Sequence, residues 1–168
     1  MTSLSGCVIP VSPQFEGPLP QENFAPQIES AQPAQGQVLT AGTAQSFTIT
    51  VTDPNAGDDL NIRWIAEYPP FTNITRRLMD QPVFHSADGE RLHAPVKITI
   101  SCAFYPLASI ASHTIMALVS DRPFRDVPDQ PDAGTTALEL ENALTGVGAG
   151  NKAEAHWFLN LPCQMPQP

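Results

Sequence analysis

The sequence predicts an all-β domain of two stacked sheets, a β-sandwich, and three observations carry that prediction. Several short runs alternate apolar and polar residues with a period of two. Clusters of turn residues separate these runs, and no long helical pattern intervenes. Proline accounts for 18 of 168 residues, about twice the usual 5%. Its ring removes a backbone donor and clashes with the preceding helical turn, which excludes a helix bundle and suits loops and strand edges.

The clearest strand is Ser46-Phe47-Thr48-Ile49-Thr50-Val51-Thr52, with Phe47, Ile49 and Val51 on one face and hydroxyl residues on the other. Asp53-Pro54-Asn55-Ala56-Gly57-Asp58-Asp59 is a turn by composition. Leu60, Ile62 and Trp64 then share one face of a second strand, and the two runs are expected to pair as a hairpin across that turn. Val96, Ile98 and Ile100 mark a third strand. Thr114-Ile115-Met116-Ala117-Leu118-Val119 is apolar enough for a central one, and His156 to Leu161 form the last. Fainter strands are expected around Val38 and Leu39 and near Val83-Phe84-His85. Thr136-Ala137-Leu138-Glu139 fits a capping box, and Ala137, Leu140, Leu144 and Val147 share a helical face; the same stretch also alternates, and one short helix is the preferred reading.

Charge and hydropathy narrow the function classes. Eight Lys and Arg stand against 17 Asp and Glu, a formal charge of −9, where a nucleic-acid surface needs a basic stripe. Arg76-Arg77 is too small a patch to alter that. No run reaches the 18 or so apolar residues of a membrane-spanning helix.

Three cysteines, Cys7, Cys102 and Cys163, leave one without a mate if the chain is exported. Leu4-Ser5-Gly6-Cys7 resembles the lipobox of bacterial lipoproteins. That resemblance implies a mature chain beginning at Cys7 with diacylglycerol on its sulfur, and a signal peptide starting upstream of Met1. Val8, where Asp would mark inner-membrane retention, implies an outer-membrane address. Two or more acyl chains would anchor stably. Pro10, Pro13, Pro18, Pro20, Pro26 and Pro33 follow, among Gln, Glu, Ser and Asn. Such a stretch favours polyproline II, and about 20 of its residues would hold a folded body on the order of 60 Å from the membrane. A plain tail around an unmodified cysteine is the alternative. Cys102 and Cys163, each beside a strand, are then expected to form a disulfide in an oxidising compartment. Closing a loop of about 60 residues stabilises by up to roughly 4 kcal/mol. In a reducing compartment they would be buried thiols.

The order strand, Asp-Pro-Asn-x-x-Asp-x-Leu, Arg-Trp resembles the early hairpin of bacterial immunoglobulin-like and cadherin-like domains, with Asp53, Pro54, Asp58, Leu60 and Trp64 at comparable places. Val119-Ser120-Asp121 resembles their late strand end. The resemblance spans residues 32–163 and implies an immunoglobulin-like β-sandwich with Trp64 between its sheets. Residues 1–31 are then the lipobox and tether, and 164–168 a tail. The Cys102–Cys163 pair departs from the usual bridge of that fold and would staple later strands.

Asp53, Asn55, Asp58 and Asp59 place several oxygens in one turn, as a Ca²⁺ site requires; an ordinary acidic turn uses the same residues and is the simpler reading. His85 and His93 read as solvated loop residues, and His113 and His156 as capping or interfacial groups at strand starts. There is no nucleophile elbow, phosphate loop or zinc spacing. The long segments 69–95 and 122–154 are the places to look for partner contacts. Together these features point to a non-enzymatic, lipid-anchored envelope protein that works as a structural or protein-interaction module, its partners a membrane and a protein of an envelope assembly. The alternative is a calcium- or glycan-binding adhesion domain.

Overall fold

The computed structural model describes residues 23–55, 57–68, 75–85, 93–101, 112–125 and 152–161. Among these residues there are eight strands and no helix: β1 (Gln27–Gln32), β2 (Val38–Thr40), β3 (Ala44–Thr52), β4 (Leu60–Ala66), β5 (Arg76–Val83), β6 (His93–Ser101), β7 (Ser112–Ser120) and β8 (Lys152–Asn160). One sheet runs β1-β3-β6, the other β2-β8-β7-β4-β5. All pairings are antiparallel except that of β2 with β8.

The period-two patterns set which face is inside. Phe47, Ile49 and Val51 of β3 and Val96, Ile98 and Ile100 of β6 form the wall of the three-stranded sheet. Leu60, Ile62, Trp64 and Ala66 of β4, Ile115, Ala117 and Val119 of β7, and Ala155, Trp157 and Leu159 of β8 form the opposite wall. Trp157 joins the walls: its ring lies 5.1 Å from Phe47 across the core and 5.9 Å from Trp64 within its own sheet. Ala117, opposite Trp64 on β7 and also paired with Ala155, keeps the intervening strand low enough for the two indoles to meet. Each indole N–H has an acceptor, Gln81 Oε1 for Trp64 at 2.8 Å and the Pro33 carbonyl for Trp157 at 2.7 Å, as buried tryptophan requires. Gln81 also donates to the Lys97 carbonyl, tying the open side of β5 to β6 in the other sheet.

The expected β3–β4 hairpin does not form. β3 pairs with β1 and β6, and β4 with β5 and β7, so the turn at Asp53 carries the chain from one sheet to the other. Two amphipathic strands joined by seven residues can bury their apolar faces side by side or face to face, and here they do so face to face. All of β1 except Gln32 lies within the stretch expected to be tether, and the strand expected near Val83 instead ends there, running from Arg76. β7 is central, as its composition predicts, and is buried on both faces. Its outward residues Met116 and Leu118 form a second apolar cluster with Ile65, flanked by Tyr68 and Phe124. Arg63, also outward and 1% exposed, makes a two-pronged bond to Asp80 at 2.8 and 2.7 Å, donates to the Arg125 carbonyl, and sits 4.6 Å from the Phe124 ring centre. That clamp holds the chain leaving β7 against the sheet.

All four sheet edges carry features that discourage pairing with another strand. β5 contains Pro82 and a bulge beside Trp64 and Ile65; β6 contains Pro95 and an exposed Lys97. β1 is bulged between Ile28 and Ser30, and β2 has three residues.

Candidate functional site

Besides the Arg63–Asp80 clamp, three places among the described residues bring polar or aromatic side chains together. The first is the upper end of the sandwich, where β3 hands over to β4 and β7 ends. The sequence there dictates an Asx turn: Asp53 Oδ1 accepts the Asn55 N–H at 2.7 Å. Asn55 Oδ1 accepts the Phe24 N–H, its amide donates to Asn23 Oδ1, and Asn23 donates to Asp121 Oδ2 at 2.6 Å. The entry to β1 is thereby fastened to the exit of β7. Asn23, Asn55, Gly57, Asp58 and Arg122 line an open cavity of about 230 Å³ here. Two oxygens in this corner are buried without a hydrogen-bond partner, Thr52 Oγ1 and Asp53 Oδ2.

Of the four expected calcium ligands, Asp53, Asn55 and Asp58 share this corner and Asp59 does not. Asp59 Oδ1 accepts the His85 backbone N–H at 2.8 Å and lies 2.7 Å from His85 Nδ1. Those bonds, the backbone one foremost, hold its carboxyl below the usual carboxylate range. Asp121 and Asn23 join the corner instead, from strand ends far away in sequence. Among the described residues, no three His, Cys, Asp or Glu side chains are arranged to hold a metal ion.

Burial pushes the Asp53 carboxyl up, and the charges of Asp58 and Asp121 add to this against the opposing Asn55 bond. A carboxyl whose folded value is raised costs stability while ionised. The cost is full at neutral pH and fades as pH falls through the folded value toward 3.8. Asp59 acts in the opposite sense, its contribution present above 3.8 and lost below. Asp53→Asn is therefore expected to stabilise the protein at pH 7 by about 1 kcal/mol, since it removes a buried, unpartnered anionic oxygen and keeps the Asn55 acceptor. Urea melts from pH 7 to 4 should show this advantage shrinking with acidity; an advantage independent of pH would refute the assignment.

The second place is the lower end. His113, inward-facing on β7 and 1% exposed, has Nδ1 at 2.5 Å from Glu67 Oε1 and Nε2 at 3.3 Å from the Leu161 carbonyl. Glu67 follows β4 with φ +61°, the left-handed region, and its carbonyl accepts Thr75 Oγ1 while its N–H donates to the Thr114 carbonyl. The cluster locks the ends of β4, β7 and β8 together and closes the bottom of the core. His113 is thus a buried bonding partner near its strand start, whereas His156 lies in mid-β8 facing outward, 3.3 Å from Glu154. His85 and His93 are exposed, His93 pairing with Glu29.

The third place is a cavity of about 260 Å³ on the outer face of the five-stranded sheet, lined by Tyr68, Thr114, His156, Trp157 and Phe158. Phe158 is 45% exposed, and its β2 neighbour Val38 is 68% exposed. No sequence signal marks this site, because Tyr68 reaches it only through the turn at Glu67.

No family model, curated protein or solved structure matches this chain. Cys7, Cys102, Cys163, the short helix expected near residue 137 and the glycine-rich run that follows it lie outside the described residues, as do residues 69–74, 86–92 and 126–151 of the two long segments. No helix among the described residues is long and apolar enough to cross a membrane.

Proposed function

We propose that this chain is a lipid-anchored envelope protein, non-enzymatic, whose immunoglobulin-like sandwich serves as a structural or protein-interaction module. The strand order supports the immunoglobulin-like reading: β1 and β2 are successive strands divided between the two sheets, with β2 parallel to the last strand. The observation that carries the interaction reading is the exposure of Phe24 and Phe84, 51% and 70%, beside the Asp53–Asp59 turn. With all four edges blunted, a partner would meet loops and faces, and two bare phenylalanines next to acidic groups suit a protein contact. β6 and β8 both end at the lower end, which favours a bond between Cys102 and Cys163, the cysteines that follow these two strands in the sequence.

The test is membrane retention and partner capture with the native chain. The wild type should stay with the outer-membrane fraction through a high-salt wash, and Cys7→Ser should be released. F24S/F84S should stay anchored and folded while a stoichiometric partner is lost. Release of the wild type by salt, or an F24S/F84S chain that keeps its partner, would overturn the reading.

A second reading is favoured by Thr52 Oγ1 and Asp53 Oδ2. Two buried oxygens without partners, one charged and repelled by Asp58 and Asp121, are what a weak calcium site would leave open. It predicts that calcium raises the melting midpoint of the wild type and leaves Asp53→Asn unmoved. No calcium shift in the wild type rules it out.

A further inference from the structure

We propose that the outer-face cavity at Tyr68, Thr114, His156 and Phe158 is the seat of this chain's own proline-rich amino segment, docked as a polyproline II strand through Pro10-Val11-Ser12-Pro13. The cavity's chemistry selects the class of occupant. Its walls are aromatic rings and carbon, with few polar groups to satisfy a sugar or an ion. Aromatic-lined clefts take proline rings because the polyproline helix is already extended and loses little entropy on binding. Exposed Val38 and Phe158 continue the apolar surface beyond the cavity, enough for a segment longer than one residue.

Chain length and the point of entry identify which proline segment. Asn23 is held at the end of β7 by its bond to Asp121. Thr114 lies seven residues back along the same strand, about 23 Å away at the rise of a β-strand. Pro13 precedes Asn23 by ten residues, which span about 31 Å in polyproline II. The segment can therefore run from the upper end down the outer face and reach the cavity with its Pro-x-x-Pro turn, leaving some slack to cross onto the sheet. The docked form has one consequence for the anchor: Cys7, three residues before Pro10, would sit close to the lower half of the body rather than at the far end of an extended stalk. The docking itself does not depend on a lipid at Cys7.

Nuclear magnetic resonance on the full chain tests this. The Thr114 methyl and the Tyr68 and Phe158 ring signals should differ between the wild type and P10S/P13S, while those of Phe47 and Ile98 in the core stay in place. A synthetic peptide of residues 8–20 should return the P10S/P13S signals to their wild-type positions. The wild type should need at least roughly tenfold more peptide to respond, because its own segment competes at high effective concentration. Identical signals in the two chains, or no response of P10S/P13S to the peptide, would overturn the proposal. So would signals that change on dilution, which would assign the segment to a second copy. Cys7→Ser leaves all of these readings unchanged, so loss of the anchor and loss of the docking are told apart.

Discussion

Trp157→Ala should destabilise the domain by about 4 kcal/mol, the upper part of the range for truncating a large buried aromatic. Trp157 is fully buried and is the ring that touches both Phe47 of one sheet and Trp64 of the other. Its removal opens a cavity at the centre of the core and strands the Pro33 carbonyl that accepts its N–H. A domain of this size has a total stability on the order of 5–15 kcal/mol, so the variant is expected to lose a large share of it. Trp157→Phe should lose less, about 2 kcal/mol, because most of the ring stack survives. Chemical denaturation followed by tryptophan fluorescence from Trp64 measures both. Equal losses would mean that the indole N–H bond, not the stack, holds the sheets together.

His113→Leu should cost about 3 kcal/mol or more. The change leaves the Glu67 carboxylate buried without its ring partner, and an uncompensated buried charge costs far more than the intact pair contributes. Converting Glu67 as well, in H113L/E67Q, should restore about 1–2 kcal/mol, since a neutral amide tolerates the apolar neighbour. Glu67→Gly gives a separate reading of the backbone. It relieves a φ of +61°, which costs a non-glycine residue about 1–2 kcal/mol, but it also removes the carboxylate facing His113. The sum should be a net loss smaller than that of His113→Leu. A double variant no more stable than His113→Leu would show that the pair acts through packing and not through charge.

The inward faces were legible in the sequence because alternation states directly which side chains are buried. Phe47, Ile49, Val51, Leu60, Ile62 and Trp64 all line the core. Alternation does not name the partner strand, however, and so β3 and β4 could be read as a hairpin when they face each other across the core. β1 was hidden because Gln27, Glu29 and Ser30 show an edge strand no apolar stripe. β5 was hidden because Arg76, Arg77, Asp80 and Pro82 read as a loop, although Arg77 and Asp80 form an ion pair and Asp80 also holds Arg63. The acidic turn was legible as a cluster, but its true neighbours Asn23 and Asp121 come from strand ends about 30 and 60 residues away. The Glu67–His113 pair left no local trace, since its members are 46 residues apart and meet only once β4 and β7 are paired.

The proposed anchor and bridge rest on Cys7, Cys102 and Cys163. Intact-mass spectrometry of the protein extracted from native membranes with thiols blocked is the direct measurement. A diacylglycerol-sized addition on Cys7 and a Cys102–Cys163 bond that resists the blocking reagent are expected. A bare Cys7 together with two blocked, reduced thiols at Cys102 and Cys163 would contradict both the anchor and the bridge.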